Sequence, residues 1–522
     1  MGLAAAVVPG RRAARYCGGM SQRRLYPFAG GLCLELHKDE TRNNQAVRLS
    51  IPDKLVLPLR QHVGIAAQPC VEIGQAVLKG ELIAEAQAYV GMRVHAPSSG
   101  VISAIDQFPV VHPSGKTSTC IELTTDGRDS AVQWRGVDDP VAIGAGEIYD
   151  RIAQAGIVGL GGVGFPAHVK LREGSAKRVD TLIINGVECE PYITCDDRLI
   201  CEHPAEVLAG AALIARAIDA RACIVAVEND MSAALAALEG AAHALVELVS
   251  VPAVYPAGGE KQLITVLIGR EVPSGLLPID VGVIVLNVAT VVAIYRAVTT
   301  GQPLIERIVT VAGQIPARGN VEVLVGTPVR HVLEHFGITD TKNFRVLSGG
   351  PMMGIEIHDL RAPITKTTNC ILLLQRDPAE HSVSTCIRCG DCVRVCPIGL
   401  HPQQLFDAAR TSDFDAVQDL HLFDCIECGC CAYVCPSRIP LVHYFRSAKS
   451  SIEALDRDRG VADDARARYE AHQVRASDAG QSASSRVALT DISAMDPAEV
   501  RREVQQAVAR VRQRRQDESD GQ

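Results

Sequence analysis

Aromatic side chains are scarce in this chain of 522 residues. Phe, Trp and Tyr together make up 4% of the sequence, with a single Trp, so few rings are available for nucleic-acid bases to stack on. The formal net charge of −8 at pH 7 also disfavours binding to a phosphate backbone, which requires a basic surface. We therefore expect no nucleic-acid partner.

Long apolar runs are missing as well. No uninterrupted run approaches the roughly 20 residues that a membrane-spanning helix needs. The nearest candidate, residues 281–294, contains a Gly and an Asn and is better explained as a buried strand that continues into a helix. Near the N-terminus, the apolar residues 3–8 precede Arg11 and Arg12, which reverses the charge order of a secretory signal. We expect the chain to face the cytoplasm.

The 18 cysteines are too sparse for a disulfide scaffold, yet nine of them lie between residues 386 and 435. Residues 386–397 read CIRCGDCVRVCP, and residues 425–436 read CIECGCCAYVCP. Both runs have the spacing of bacterial ferredoxins, in which three cysteines bind one cluster and the fourth binds the other. The sequence therefore predicts two [4Fe–4S] clusters. One would be held by Cys386, Cys389, Cys392 and Cys435, and the other by Cys425, Cys428, Cys431 and Cys396.

A zinc site is the alternative for paired cysteines. Structural zinc uses four ligands, whereas these two runs supply eight, so iron–sulfur chemistry is favoured. Cys430 falls outside the pattern, and we expect its side chain to point away from the cluster.

Periodicity and composition divide the chain into six segments, for a fold class that is multidomain α/β plus β. Residues 1–25 form an N-terminal extension, residues 26–135 a small all-β unit, and residues 140–302 an α/β unit. Residues 303–375 combine strands with one helix, residues 376–450 carry the clusters, and residues 451–522 form a polar helical tail. Within the tail, residues 476–485 are predicted to be a linker and residues 497–516 a helix.

A glycine-rich loop follows the first predicted helix of the α/β unit. Residues 159–166 read GLGGVGFP, which matches the dinucleotide fingerprint formally, although a helix precedes it where a strand belongs. A flexible turn is the alternative. Pro166 suits the first turn of a helix, so the loop would present free N–H groups and a helix N-terminus to an anion. Lys170 lies one turn further on, and residues 185–191, NGVECEP, form a polar cluster at the end of a predicted strand.

Four motifs, at residues 161–166, 185–191, 255–260 and 286–290, occur in the order seen in the flavoprotein subunit of respiratory complex I. That subunit binds FMN and oxidises NADH. Together with the all-β block, the glycine-rich residues 349–354 and the two cysteine runs, they make residues 26–449 resemble the RnfC family. RnfC, also called RsxC, is one subunit of the Rnf ion-translocating electron transport complex.

The resemblance implies non-covalent FMN, NADH as substrate and a set of twelve cofactor-binding residues. The glycine loop and Lys170 would hold the FMN phosphate and approach the nicotinamide. Asn185 and Asn287 would bond the flavin or its ribityl chain. Glu190 and Glu260 match acidic residues that contact NADH. The side chain of Phe165 would pack against NADH. The set is Gly161, Gly162, Gly164, Phe165, Lys170, Asn185, Glu188, Glu190, Gly258, Gly259, Glu260 and Asn287.

Two positions depart from the complex I pattern. Val187 stands where that pattern has an acidic residue, and Leu160 stands near the position of an arginine. The phosphate charge would then be met mostly by Lys170 and backbone dipoles.

The β blocks also carry resemblances. Residues 71–83 and 95–102 resemble the two halves of a biotinyl-type barrel sandwich, but Ala88 stands where carrier domains have the lysine that is modified. Without that amine no prosthetic group is attached, so we expect a structural or docking module. Residues 303–375 resemble the β-grasp domain, of the soluble ligand-binding type, that follows the flavin domain in complex I.

The resemblance implies an electron-input subunit on the cytoplasmic side of the cell inner membrane, bound peripherally. Its partners would be integral membrane and other subunits of the complex, with ferredoxin or another electron carrier. Two alternatives remain at this point: a soluble NADH-dependent reductase or diaphorase, and an iron–sulfur wire and scaffold without nucleotide turnover.

Overall fold

The computed structural model of the chain describes residues 6–7, 23–376, 383–486 and 496–519. It divides into two units, Met1–Lys449 and Ser450–Gln522. Most of the predicted N-terminal extension, residues 1–25, lies outside the described residues. None of the helices in the described ranges is both long enough and apolar enough to cross a membrane.

The first block consists of short strands, as the sequence predicted. Its strands are β1 Ala6–Val7, β2 Leu32–Cys33, β3 Val47–Arg48, β4 Lys54–Pro58, β5 Gln68–Pro69, β6 Ala76–Val77, β7 Leu82–Glu85, β8 Val94–His95, β9 Gly100–Pro109 and β10 Thr117–Thr125. One antiparallel sheet has the order β4-β10-β9-β6 and another the order β5-β7-β8. Leu57, Ile83 and Ile121 belong to one core that draws side chains from both sheets. Ala88 is exposed between β7 and β8.

The second block alternates helices and strands. Its elements are α1 Ala145–Gln154, α2 Ala167–Ala176, β11 Thr181–Gly186, α3 Cys195–Glu202, α4 Pro204–Ala217, β12 Ala222–Glu228, α5 Ser232–Gly240, β13 Glu247–Val251, α6 Glu260–Ile268, β14 Val283–Asn287 and α7 Val288–Thr299. The four strands form a parallel sheet with the order β13-β12-β11-β14. Residues 281–294 contain a buried strand followed by a helix, which confirms the prediction made from their interrupted apolar run.

The parallel sheet is covered on both faces, which explains why its strands are continuously apolar. Successive side chains of a strand point to opposite faces. Accordingly Leu182 and Ile184 of β11 join the core that contains α1, α2, α4 and α7, whereas Ile183 joins the core that contains α6. The layered α/β architecture predicted from the alternation is therefore present.

The third block adds a mixed sheet with one helix. Its elements are β15 Glu306–Gly313, β16 Gly319–Leu324, α8 Val329–His335, β17 Phe344–Ser348, β18 Ile355–Glu356 and β19 Cys370–Gln375. The sheet order is β18-β17-β19-β15-β16-β3. Strand β3 therefore belongs to this sheet, although it lies in the segment predicted as the first block, residues 26–135. The β-grasp assignment and the domain limits stay predictions.

Short helices accompany the cysteines, and two longer ones follow. They are α9 Asp391–Arg394, α10 Pro402–Arg410, α11 Phe414–Asp419, α12 Cys430–Tyr433, α13 Leu441–Arg486 and α14 Pro497–Ser519. The helix predicted at residues 497–516 is thus present as α14. The linker predicted at residues 476–485 is wrong, because α13 continues through it to Arg486. That segment contains several alanines, the strongest helix former, and a helix already nucleated can propagate through it.

Candidate functional site

The strand order of the parallel sheet reverses between β11 and β14. The chain adds β12 and β13 on one side of β11, whereas β14 returns to the other side. In open α/β sheets, ligands bind outside the carboxyl ends of the strands at such a point. Asn185 and Asn287 lie at these carboxyl ends and are direct partners in the parallel register. The two predicted asparagines therefore meet where the topology favours a ligand.

Both asparagine amides are held by protein groups. Nδ2 of Asn185 donates to the carbonyl oxygen of Gly258 at 2.8 Å, and its Oδ1 accepts from the N–H of Val187 at 2.9 Å. Oδ1 of Asn287 caps α7 by accepting from the backbone N–H two residues on, at 2.9 Å, which is a preferred role for Asn before a helix. Its Nδ2 donates to Asp196 at 2.5 Å. These bonds fix the loops that surround the strand ends.

The glycine loop lies against this edge. The N–H of Leu160 donates to Oγ1 of Thr290 at 2.9 Å. A Cβ built on Gly161 would lie 3.3 Å from the side chain of Asn287. Gly162 and Gly164 have φ angles of 115° and 70°, which L side chains rarely adopt. Among the described residues, no group accepts from the N–H of Gly161 or Gly162. Free N–H groups ahead of α2 fit the phosphate of an anionic cofactor.

Lys170 and Glu260 are bonded to each other. Nζ of Lys170 lies 2.5 Å from Oε1 of Glu260 and also donates to the carbonyl oxygen of Val285 at 2.8 Å. The family resemblance assigned these residues separate roles, at the phosphate and at the nicotinamide. Because they form an ion pair, a change of charge on either residue alters the electrostatic environment of the other.

Glu188 is buried beneath the site. It accepts from the N–H groups of Asp196 and Asp197 at 2.9 and 3.3 Å. Burial, followed by repulsion from Asp196, raises the pKa of Glu188 to about 8. Two adjacent carboxyl groups with little access to water disfavour a second negative charge, so this pair retains a proton near neutral pH.

Glu190 is directed to another part of the chain. Its Oε1 accepts from the N–H groups of Met352 and Met353, both at 2.8 Å. A Cβ built on Gly350 would lie 2.5 Å from Cγ of Glu190, so this glycine is required for the close approach. The predicted contact between Glu190 and NADH would therefore require the loop of residues 349–354 to move.

A cavity of about 100 Å³ lies beside the glycine loop, between α3, α7 and β15. Leu160, Asp196, Ala289 and Arg307 are among its lining residues. None of the twelve predicted cofactor residues, all of which the structure describes, lines it. The cavity borders the predicted site without coinciding with it.

The two cysteine runs repeat one backbone conformation. Residues with left-handed φ angles between 53° and 80° occur at matching positions of the two loops. The three matching pairs are Arg388 with Glu427, Gly390 with Gly429, and Gly399 with Arg438. Non-glycine residues adopt this conformation at a cost, so a surrounding requirement must hold them there. Two loops of the same shape fit two equivalent clusters.

Four of the eight predicted ligands line one cavity. They are Cys396, Cys425, Cys428 and Cys431. Burial raises the pKa of Cys425 to about 11, and burial together with the neighbouring thiols raises the pKa of Cys431 as well. Thiols gathered in this way become thiolates when a metal supplies positive charge. This donor set, three cysteines of the second run with the fourth of the first, fits an iron–sulfur cluster.

The other four cysteines occupy a more open part of the chain. Cys389 is exposed, and Cys386, Cys392 and Cys435 are partly buried. The segments before Cys386 and after Cys435 are tied together, because the N–H of Ser384 donates to the carbonyl oxygen of Ser437 at 3.0 Å. This bond brings the start of the first run close to the end of the second, as the predicted pairing requires.

Cys430 is fully buried and also lines the cavity of the second run. Its thiol is hydrogen-bonded to that of Cys428, and this bond raises the pKa of Cys430. The prediction that its side chain points away from the cluster is therefore not supported by its position.

The flavin-type motifs and the second cysteine run are in contact. The hydroxyl of Tyr255, from the motif of residues 255–260, donates to the carbonyl oxygen of Cys428 at 2.6 Å. A Cβ built on Gly429 would lie 2.6 Å from the carbonyl oxygen of Met352, whose N–H is bonded to Glu190. Two separate contacts thus connect the end of the parallel sheet with one cysteine loop.

Three family models match the chain. The RnfC barrel sandwich hybrid domain matches residues 26–128, the Nuo51 FMN-binding domain matches residues 152–296, and the 4Fe-4S dicluster domain matches residues 385–439.

Curated relatives, each named as the C subunit of an ion-translocating oxidoreductase complex, match most of the chain. The protein from Edwardsiella ictaluri is 44% identical over 87% of this chain and 58% of its own length. The protein from Pseudomonas aeruginosa is 43% identical over 86% of this chain and 59% of its own length. The protein from Yersinia pestis is 42% identical over 87% of this chain and 73% of its own length. The chain belongs to this family.

The chain spans less than two thirds of the length of the first two of these relatives. Among solved structures, NAD+-reducing [NiFe]-hydrogenase in the H2-reduced state is similar with a TM-score of 0.44 at 22% identity, covering 59% of this chain and 62% of that chain. The same hydrogenase in the air-oxidised state has a TM-score of 0.40.

The family assignment confirms the resemblance drawn from the four motifs and the two cysteine runs. The matched domains also confirm FMN and [4Fe–4S] clusters as cofactors. The free N–H groups of the glycine loop and the cavity lined by four thiols fit these groups. The individual cofactor-binding residues stay predictions.

Sequence reasoning missed two charged residues at this site. Asp196 accepts from Asn287, and Arg307 is enclosed beside Cys195 and Asp196, where burial lowers the pKa of Arg307. Residues 196–198 are charged and begin a helix that follows the polar strand-end cluster. This pattern could have indicated Asp196 as a residue of the site. Arg307 is the single arginine of the largely apolar strand β15, and this position could have indicated a role at the site.

Proposed function

We propose that this chain is the electron-input subunit of a membrane-bound, ion-translocating oxidoreductase complex. It exchanges electrons between NADH and partner subunits through FMN and two [4Fe–4S] clusters. The observation that carries this proposal is the hydrogen bond between Tyr255 and Cys428, because it joins a flavin-type motif to a cluster loop. A short, rigid connection of this kind suits electron transfer between two groups in one chain.

The phosphate end of FMN would be held by the glycine loop. The free N–H groups of Gly161 and Gly162 support this role, and Gly164 with Phe165 leads the chain into α2. Lys170 supplies a positive charge one turn on. Its ion pair with Glu260 reduces the charge available to the phosphate.

The remaining proposed residues shape the other side of the site. Asn185 holds the loop at Gly258, and Gly259 precedes α6 at the point where Glu260 begins it. Asn287 fixes the start of α7, while Glu188 and Glu190 anchor neighbouring loops. These residues orient the site, and we propose that they contact FMN or NADH directly or through the loops they hold.

We propose one cluster on Cys396, Cys425, Cys428 and Cys431, supported by the cavity that these four thiols line. The other cluster would use Cys386, Cys389, Cys392 and Cys435. The exposed Cys389 supports this second cluster as the one nearer to a partner protein.

When bound, FMN accepts a hydride from NADH and releases electrons singly, and each [4Fe–4S] cluster carries one electron at a time. The chain contributes binding and orientation. The apolar surroundings of Tyr255, Cys428 and Cys430 exclude water from the path between the two sites.

We further propose that the partners are integral membrane subunits and ferredoxin or another electron carrier. The chain would bind peripherally on the cytoplasmic side of the inner membrane. The name shared by the relatives supports assembly into a complex.

The test is anaerobic addition of NADH to the purified, cofactor-loaded chain, followed by flavin absorbance and cluster electron paramagnetic resonance. We expect flavin bleaching followed by reduction of a cluster. Bleaching together with turnover of a soluble acceptor, and no recovery with membrane subunits from cells, would favour a soluble reductase. Clusters that are reduced chemically but never by NADH would favour an iron–sulfur wire.

A further inference from the structure

The glycine loop rests on a short segment of the third block, residues 365–368. Nζ of Lys366 donates to the carbonyl oxygen of Gly156 at 2.7 Å, three residues before the loop begins. At the other end of the loop, a Cβ built on Gly164 would lie 3.0 Å from Cγ2 of Thr367. The same segment therefore fixes both ends of the loop.

Lys366 also reaches the first block. Its Nζ donates to the carbonyl oxygen of Arg93 at 2.9 Å, and its backbone N–H donates to Oε1 of Gln61 at 3.1 Å. The lysine is 2% exposed. One buried residue thus joins all three blocks at the base of the loop.

Among the residues that the structure describes, this amine has no negative partner. No carboxylate of the described residues forms an ion pair with Lys366, whereas the other buried lysines, Lys38 and Lys79, pair with Glu228 and Asp129 at 3.3 and 2.7 Å. An uncompensated buried ammonium group is costly. Burial accordingly lowers the pKa of Lys366 to about 7.

We propose that Lys366 is a positioning residue of the cofactor site whose charge is balanced by the FMN phosphate bound at the glycine loop. This inference rests on the proposed role of the loop. Lys170 is paired with Glu260 and Arg307 lies beside Asp196, whereas Lys366 has no carboxylate partner among the described residues and is a cation that a phosphate can compensate. By linkage, a phosphate dianion favours the charged amine, so FMN binding takes up a proton where the free amine is neutral and the amine of the complex is charged.

The histidines around Lys366 do not compete in the relevant pH range. Burial, assisted by the charge of Lys366, lowers the pKa of His62 to about 4 and the pKa of His95 to about 3, so both rings stay neutral. The phosphate itself loses its second proton near pH 6, below the range to be measured.

Three arginines also lie around Lys366. Arg60 and Arg93 lie close enough to the two histidines to affect their charge, and Arg93 is bonded to Glu85 at 2.7 Å. Arg307 donates to the carbonyl oxygen of Lys366 at 2.5 Å. Arginine side chains are effectively always charged in proteins, so among the groups around Lys366 its own amine is expected to change its protonation. Glu188, beneath the site, also titrates near pH 8, and Lys366→Met separates the two contributions.

The experiment uses the full chain with its clusters, freed of FMN and titrated with FMN between about pH 7 and pH 9.5. Flavin fluorescence gives the affinity, and calorimetry in buffers of different ionisation enthalpy gives the protons taken up. We expect proton uptake to be largest between pH 7, near the pKa of the free amine, and the raised pKa of the amine with FMN bound, and to fade above it. We also expect affinity to fall about tenfold overall for each unit by which FMN raises the pKa of Lys366.

Lys366→Met should bind FMN more weakly at pH 7 and lose both the proton uptake and the pH dependence. The matched control is Lys79→Met, which removes another buried lysine from the first block and should keep both. Wild-type binding without proton uptake and without pH dependence would overturn the inference, even if Lys366→Met fails to fold. Gly162→Ala separates the two proposals, because it strains the loop backbone at a φ angle of 115°: if it binds FMN with unchanged affinity, the loop is not the phosphate site and the proposed site itself is wrong.

Discussion

The hydroxyl of Tyr255 donates to the carbonyl oxygen of Cys428 at 2.6 Å, across 173 residues of chain. Both residues are buried in one apolar cluster with Leu32, Val395 and Cys430. Since Tyr255 opens a motif of the flavin-type site and Cys428 belongs to a cysteine run, the bond connects two sites that the sequence keeps far apart.

Tyr255→Phe removes this bond and keeps the ring. We expect the free energy of unfolding to fall by about 1 kcal/mol, the usual net contribution of a hydrogen bond, and the resonance of one cluster to change. Tyr149→Phe is the control, because the hydroxyl of Tyr149 also donates to a buried carbonyl oxygen, that of Ala217 at 2.7 Å. It should cost similar stability and leave both cluster spectra unchanged. An unchanged cluster spectrum in Tyr255→Phe would contradict the proposed connection.

Equivalent glycines of the two cysteine runs differ in their surroundings. Gly390 and Gly429 have φ angles of 80° and 79°. A Cβ on Gly429 would lie 2.6 Å from the carbonyl oxygen of Met352, whereas a Cβ on Gly390 would meet no atom of the described residues within 4 Å. Both alanine variants should lose about 1–2 kcal/mol from the left-handed backbone. Only Gly429→Ala should also displace the loop that bonds Glu190 and slow reduction of the clusters by NADH. Equal rates in the two variants would show that this contact has no part in electron transfer.

The cluster pairing is tested by Cys396→Ser. We expect loss of the cluster whose other ligands are Cys425, Cys428 and Cys431, with iron falling from about eight to about four atoms per chain. Cys430→Ala, at a neighbouring thiol outside the ligand set, should retain both clusters. Loss of the cluster led by Cys386 would reverse the pairing, and zinc in place of iron would refute it.

The ion pair between Lys170 and Glu260 predicts coupled effects. Lys170→Ala should lower FMN affinity, and Glu260→Gln should slow NADH oxidation while flavin stays bound. Because their side chains are 28% and 39% exposed, the pair itself stabilises the fold by at most about 1 kcal/mol. The loss of FMN binding free energy in the double variant should differ from the sum of the losses in the two single variants. Strict additivity would show that FMN binding leaves the interaction between these two side chains unchanged.

Glu188 predicts a dependence of stability on pH. Its pKa is raised from 4.5 to about 8 in the folded chain, so the folded state binds more protons than the unfolded state between these values. Stability from this group is therefore present below pH 4.5 and is lost as pH rises towards 8. Thermal unfolding of Glu188→Gln should show a flatter dependence over this window. Glu122→Gln, at a carboxylate in an ion pair with Lys54, is the control and should leave the slope as it is.

Local patterns are sufficient to predict much of the fold. The alternation of apolar runs predicts the α/β block, and the interrupted run at residues 281–294 is interpreted correctly as strand then helix. The linker at residues 476–485 is wrong because Ser and Gly suggest a break, whereas the alanines allow the helix to continue. The contribution of β3 to the third sheet could not be predicted, since two-residue strands have no periodicity to detect.

The sequence by itself determined the chemistry that depends on spacing within a short segment. Cysteines at fixed intervals predict cluster loops because the ligands of one loop are neighbours in the chain. The glycine loop and the strand-end asparagines are likewise visible as local motifs. Only the tertiary structure decided which charges meet: it paired Lys170 with Glu260, bonded Glu190 to Met352, and buried Lys366 with no carboxylate partner in the described part of the chain. Electrostatic and hydrogen-bonding partners depend on distances between residues far apart in sequence, and folding alone sets those distances.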